Sequence, residues 1–261
     1  MARPADPGDA GRGWAEPDPA FADPRLAAIY DTFDRDRRDL DLYLSVISDV
    51  GARTVLDVGC GTGTLACLLA GRGLQVTGLD PARASLDVAR GKPNAGAVHW
   101  LHGTVESLPP LQVDLGSMTA NVAQVFLTDE EWSATLRAIG RAVRPGGWLV
   151  FESRRPERKA WLEWTPERSF TRQVVPTVGP VQAWVEVTEL RGSLVSFRWT
   201  FRFEADGLEL TSDSTLRFRS RHELVDSVTS VGFEVEDVRD APDRPGNEFV
   251  IVARRPGTSG S

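Results

Sequence analysis

The hydrophobic positions of this chain change period twice, dividing it into three stretches. In residues 21–50, Leu40, Leu42, Leu44, Val46 and Ile47 supply apolar positions before the Gly51 stop, and a mostly helical stretch is predicted. From Thr54 onward, short apolar runs alternate with helical ones. Strands are predicted at 54–58, 75–79, 98–102, 113–119 and 148–152. Helices are predicted at 64–72, from Pro81 to the Gly91-Lys92-Pro93 break, and from Thr128 to Val143. Pro81 suits a first helical position, and Asp129, Glu130 and Glu131 fill a first turn where the helix dipole favours acids. From Gln173 to Arg219 the period becomes two. Val195, Phe197, Trp199, Phe201 and Phe203 alternate with Ser196, Arg198, Thr200 and Arg202, with turn signals at Arg191-Gly192-Ser193 and Asp206-Gly207. This reads as an antiparallel insertion whose apolar face is a sheet core or a dimer seam. Ser220 with Glu223 three residues on opens a last helix, and strands at 233–238 and 248–253 follow.

The candidate chemistry lies where the first strand ends. Val55-Leu56-Asp57-Val58 runs into Gly59-Cys60-Gly61-Thr62-Gly63, and a helical stretch takes over at Thr64. The three glycines allow close approach of a ligand to backbone, and the helix behind them presents unpaired N–H groups. The second strand runs into Asp80, an acid placed to accept from both hydroxyls of a ribose. An adenosine-containing cofactor is expected. Gly61 to Ala66 also fits G-x-G-x-x-A, so a dinucleotide competes for the site.

The run Asp57 to Gly63, D-x-G-x-G-x-G, resembles motif I of the class I methyltransferases that use S-adenosylmethionine. That ligand has no pyrophosphate, and a carboxylate at the loop entrance suits its ammonium. The resemblance extends from Tyr30 to Arg255, through Asp80 and through Gly103-Thr104-Val105-Glu106-Ser107-Leu108-Pro109, similar to the family's G-D-A-E-x-L-P strip beside the adenine. Thr104 stands where the family has Asp, so its hydroxyl or the Val105 backbone would have to meet the adenine amino group. The resemblance implies an α/β fold: a Rossmann-like seven-stranded sheet with helices on both faces, the last strand antiparallel, and a β-insertion after strand 5. It implies one domain over 21–255 with the insertion at about 160–219; the tails at 1–20, rich in Pro, Asp, Gly and Ala, and at 256–261 read as disordered. Donor contacts are expected from Asp57, Gly59, Cys60, Gly61, Gly63, Asp80, Pro81, Thr104, Val105, Glu106, Thr119 and Asn121. Tyr30-Asp31-x-Phe33 with Arg37 resembles the N-terminal lid of bacterial amino-sugar N,N-dimethyltransferases. In that pattern Tyr30 and Arg37 close over the donor and hold its carboxylate, and the insertion pairs two subunits into a homodimer. An ordinary surface helix is the alternative for both residues.

On the acceptor side, Glu152 at the carboxyl end of strand 5 is the first candidate for a general base, with a salt bridge to Arg154 or Arg155 as its other reading. His222, in the first turn of the last helix, is the second. Asn121 and Gln124 follow strand 4, where the reacting methyl should emerge, and Gln124 also reads as a partner of loop backbone. His99 and His102 read as structural, while Trp161 and Trp164 read either as a pocket wall or as core anchors.

Composition narrows the partners. The formal net charge is −7 with a sequence pI near 5.1, which argues against nucleic acid as the acceptor. No apolar run approaches the ~20 residues needed to cross a bilayer, and residues 1–19 lack the apolar core of a secretory signal. Cys60 and Cys67 are the only cysteines, with no partners at metal-ligand spacing, so neither metal nor disulfide is expected. A cytoplasmic enzyme acting on a small molecule, in secondary metabolism, is the reading. A NAD-dependent oxidoreductase and a non-catalytic protein that binds the adenosyl ligand are the alternatives.

Overall fold

Strand β1 (Thr54–Val58) is buried along almost its whole length, as a central parallel strand covered on both faces must be. A computed structural model describes residues 14–34 and 36–257. Around β1 run β2 (Gln75–Asp80), β3 (Val98–His102), β4 (Val113–Met118), β5 (Val143–Arg154), β10 (Glu234–Asp240) and β11 (Glu248–Arg254). They form one seven-stranded sheet in the order β10-β11-β5-β4-β1-β2-β3. β1 to β5 pair in parallel, and β11 enters antiparallel against β5 with Val250 opposite Glu152. The β1/β4 reversal is a topological switch point, so the carboxyl ends of these strands face a common crevice.

Helix α3 (Asp39–Asp49) and helix α4 (Thr64–Ala70) cover one face through Tyr43, Val46, Ile47, Leu65 and Leu69, packed on Val55, Val150 and Val250. Helix α6 (Asp129–Ala142) and helix α8 (Arg221–Ser230) cover the other through Trp132, Leu136, Leu224 and Val228 on Leu56, Phe151 and Ile251. Both expected N-caps form: Thr128 with Glu131 and Ser220 with Glu223 make reciprocal capping boxes.

Between β5 and α8, after helix α7 (Pro166–Ser169), strands β6 (Thr171–Val175), β7 (Gly179–Arg191), β8 (Leu194–Phe203) and β9 (Glu209–Arg217) make a separate antiparallel sheet. Its apolar face meets Leu26 and Ile29 of helix α2 (Pro24–Phe33). The alternating run Val195 to Phe203 is therefore a sheet core closed within the chain rather than a seam left open for a second copy.

Three expectations need correction. Helix α5 (Arg83–Arg90) begins two residues after Pro81, because the Asp80 carboxylate accepts from Ala82 N at 2.7 Å and turns the chain first. The predicted strand at 148–152 extends from Val143, directly at the end of α6, to Arg154. The expected N-terminal tail also fails for residues 14–20. Trp14 packs 5.1 Å from the Phe126 ring, and helix α1 (Pro19–Ala22) is fixed by Ala20 N donating to Ser212 Oγ at 2.9 Å. The remainder of that tail, 1–13, and 258–261 of the C-terminal one lie outside the described residues.

Candidate functional site

The glycine turn takes its shape from three left-handed residues: Gly59, Gly61 and Gly63 have φ of +71°, +53° and +76°. The space beside each differs. A Cβ on Gly59 would lie 2.5 Å from Val122 Cγ2 and 3.2 Å from Trp14 Cη2, and one on Gly63 would meet Trp100 at 2.5 Å. One on Gly61 would have no neighbour within 4 Å, so this glycine faces open space.

Asp80 binds the turn to the second strand: Oδ2 accepts from Gly61 N at 2.8 Å while Oδ1 accepts from Ala82 N. Burial pushes its carboxyl up to about 6 despite those two donors. Asp57 is 1% exposed; Oδ1 accepts from Ser117 Oγ at 2.9 Å, and Oδ2 is buried without a partner. Burial pushes it up to about 7. A buried carboxylate oxygen with no donor, beside an open glycine, fits the ammonium of an adenosyl amino acid. Cys60 is buried in the turn, and burial raises its thiol well above the usual range, so it supplies no nucleophile. In the strip after β3, Val105 is buried, the Thr104 hydroxyl donates to the Glu106 carboxylate, and Ser107 Oγ donates to Thr104 O at 2.7 Å. His102 bonds Pro81 O at 3.0 Å, a structural role, while His99 stands exposed on β3.

Helix α2 roofs the turn. Asp31 accepts from Thr62 Oγ1 at 2.6 Å and pairs with Lys92 Nζ at 2.7 Å. Tyr30 lies 5.4 Å from the tilted ring of Phe21, and its hydroxyl is raised by burial and by Asp34. Arg37 is pinned by Asp34 at 3.1 Å and Asp39 at 3.2 Å, and its charge reaches Asp57.

Beyond β4 the backbone is strained. Ala120 and Asn121 both adopt positive φ, +52° and +63°, where side chains other than glycine are uncommon. Glu152 and Glu248 hold this bend: Glu152 Oε1 accepts from Asn121 N at 3.2 Å, and Glu248 Oε1 accepts from Asn121 Nδ2 at 3.3 Å. Thr119, at the foot of the bend, is also buried. Burial first and Glu248 second raise the Glu152 carboxyl to about 7, with Arg244 and Arg154 opposing. The salt bridge expected from Glu152 to Arg154 or Arg155 does not form among the described residues; Arg244 pairs instead with Glu248, at 3.2 Å. Arg154 Nη1 donates to Gln124 Oε1 at 3.3 Å, and its guanidinium lies 5.8 Å from the Trp164 ring. Gln124 Nε2 also donates to Arg217 O, the backbone role expected of it. Trp161 and Trp164 pack at 4.7 Å on Phe218 and Phe197.

His222 is not brought to the site. It stands 85% exposed on α8, 2.9 Å from Asp226 one turn on, because the α8 stripe that packs inward is Leu224 and Val228. Conversely, sequence reasoning gave no role to Asp31, Arg244 or Glu248, since Arg244 and Glu248 sit in a polar loop run with nothing local to mark them. It also missed Arg219, whose buried guanidinium donates to Ala123 O, Phe126 O and Thr128 O and so clamps the strained loop from behind.

A family model described as a methyltransferase domain matches residues 55–147. The ubiquinone biosynthesis O-methyltransferase of Serratia proteamaculans (strain 568) is 32% identical over 167 residues, covering 58% of this chain and 68% of that protein. The malonyl-(acyl-carrier protein) O-methyltransferase of Serratia marcescens is 29% identical over 185 residues, covering 69% of this chain and 67% of that one. Among solved structures, the sugar N-methyltransferase KedS8 from Streptoalloteichus sp ATCC 53650 superposes with a TM-score of 0.70. It is 19% identical and covers 98% of this chain and 99% of its own, a likeness of fold.

Proposed function

The chain belongs to the S-adenosylmethionine-dependent methyltransferases, and from that premise we propose that it methylates a small-molecule acceptor in secondary metabolism. The observation that carries the donor site is the open face of Gly61 between two acid-tipped strands, Asp57 on one side and Asp80 on the other. In this reading the strip Thr104–Glu106 edges the adenine, with Pro81 beside it. Asp80 takes the ribose hydroxyls, and Asp57 takes the ammonium through its free oxygen. Cys60, Gly59, Gly61 and Gly63 supply the turn, Thr119 and Asn121 border the methyl, and Tyr30 and Arg37 close the lid. When bound, the donor supplies an electrophilic methyl carbon on its sulfonium.

The chain's own contribution is alignment and proton removal. Most of the rate of an in-line displacement at carbon comes from holding the two reactants together and excluding water. Glu152 would take the proton that the acceptor gives up when it is methylated. A carboxyl raised to about 7 is poised for that task at neutral pH. Its tie to Asn121 N couples the base to the strained loop that borders the methyl. In this reading a homodimer would form through the outer face of the insertion, where Phe170 and Val174 are more than half exposed. Light scattering of the purified chain tests that pairing.

Calorimetry with S-adenosylhomocysteine, and NADH as control, tests the donor. Micromolar binding of the first and no heat from the second is expected. Screening hydroxylated aromatics and amino sugars for the mass gain of one methyl group then tests the acceptor class. Binding of NADH in place of the adenosyl ligand would overturn the reading.

A further inference from the structure

Six side-chain polar atoms are buried without a partner among the described residues, and Trp14 Nε1 is one of them. An indole N–H can only donate, so a buried one with no acceptor points to an acceptor that arrives from outside the chain. The indole is not loosely placed. Its Cη2 lies 3.2 Å from the position of a Cβ on Gly59, and its ring packs against Phe126 at 5.1 Å. The segment behind it is held from both sides of the crevice. Ala20 N donates to Ser212 Oγ of the insertion sheet, and Phe21 O accepts from Ser85 Oγ of α5 at 2.9 Å. The segment thus crosses above the glycine turn and brings the benzo edge of Trp14 to its first glycine, with the N–H buried on the other edge of the ring.

Strand order says which end of a ligand lies there. The tips run β3, β2, β1, β4 across the sheet. A donor with its adenine at β3 and its ribose at Asp80 of β2 therefore has its amino-acid end at β1, beside Asp57 and Gly59. That end is a zwitterion. The unpartnered Asp57 Oδ2 can only accept and the unpartnered Trp14 Nε1 can only donate, which matches an ammonium and a carboxylate carried on one carbon. On the donor site assigned above, we propose that Trp14 is a donor-binding residue whose indole N–H takes the carboxylate of the S-adenosyl amino acid. The segment 14–22 is then a strap over the methyl-donor pocket, additional to the lid of α2.

The test compares two ligands on two proteins. S-Adenosylhomocysteine carries the amino-acid end; 5′-methylthioadenosine lacks it. Trp14→Phe keeps an aromatic ring but deletes the N–H. For this variant, calorimetry is expected to show S-adenosylhomocysteine weakened about tenfold or more, with 5′-methylthioadenosine unchanged. Equal loss of both ligands, or no loss of either, would overturn the proposal and leave Trp14 as packing. Wild-type protein supplies a second readout that no folding defect can blur. The indole ¹⁵N–¹H resonance of Trp14, assigned by its absence in the variant, moves downfield with S-adenosylhomocysteine and stays put with 5′-methylthioadenosine. A resonance that ignores both ligands while wild-type protein binds them refutes the contact alone. Wild-type protein that binds neither ligand refutes the donor site itself.

Discussion

The carboxylate of Asp31 accepts a 2.6 Å hydrogen bond from the hydroxyl of Thr62, so the N-terminal helix is tied directly to the glycine turn. Lys92 braces the same carboxylate and also donates to Thr62 Oγ1 at 3.1 Å. If α2 closes over the donor as proposed, a helix tied to the turn in this way makes closure and donor binding one event. Asp31→Ala is expected to weaken S-adenosylhomocysteine several-fold, by about 1 kcal/mol, and to speed amide exchange in α2. Calorimetry and hydrogen exchange check the two effects together.

Asp80 supports the turn with both carboxylate oxygens and, in the proposed site, would face the ribose with the same group. Replacing it by alanine strands Gly61 N and Ala82 N as well as removing the ribose acceptor. Asp80→Ala should lose tenfold or more in donor affinity and about 1–3 kcal/mol of stability. Asp80→Asn keeps one acceptor oxygen and should fall between the two proteins in calorimetry and thermal melting.

Two glycines of the turn should fail in different ways. Gly59→Ala drives a methyl into Val122 at a positive φ and should cost about 1–3 kcal/mol, part of it restored by Val122→Ala in the same chain. Gly61→Ala meets no atom and should cost only about 1 kcal/mol of backbone strain, yet its methyl projects into the ligand's space. Melting temperature should separate the first from wild type; donor affinity should separate the second.

Acidity acts on rate and stability in opposite directions. A base at Glu152 works as the carboxylate, so kcat/KM should rise with pH and level off above about 7. Glu152→Gln should erase that limb and lower the rate about a hundredfold or more. For stability, Asp57, Asp80 and Glu152 all have carboxyls raised above their unfolded values of 3.8, 3.8 and 4.5. The folded state therefore holds more protons than the unfolded one between about pH 4 and 7, and the stability these groups contribute is lost as pH climbs through that window. Asp114 runs the other way. Burial pushes it up, but Arg144 and the Arg53 and Thr54 amides together outweigh that and lower it to about 2, so its contribution is lost only as pH falls below about 4. Melting temperatures should peak on the acidic side of neutrality, with a flatter descent in Glu152→Gln.

His222→Ala should leave activity and donor affinity unchanged, since the imidazole faces solvent beside Asp226. A loss of rate in that variant would put α8 back into the site.

Most of the sheet and the glycine turn were legible because they depend on local rules. Gly59, Gly61 and Gly63 announce left-handed backbone, Asp57 and Asp80 end apolar runs, and Ser220 with Glu223 announces a cap. The acceptor side was not legible in that way. Glu152 stood out only as an acid at a strand end, and Glu248, ninety-six residues later by its number, gave no sign of sharing its site. That pairing exists because β11 inserts antiparallel beside β5, which sets Glu248 opposite Arg154.

The sequence by itself determined the period of each stretch, the glycine turn and the acids that flank it, since each follows from neighbours within a few residues. Tertiary structure alone decided which distant groups share one buried space. Burial raised Glu152 and Asp57 toward neutrality, and the crossing of the N-terminal segment packed Trp14, expected in a tail, beside Gly59. Desolvation and orphaned hydrogen bonds are properties of an enclosed volume, and no local pattern of residues encloses one.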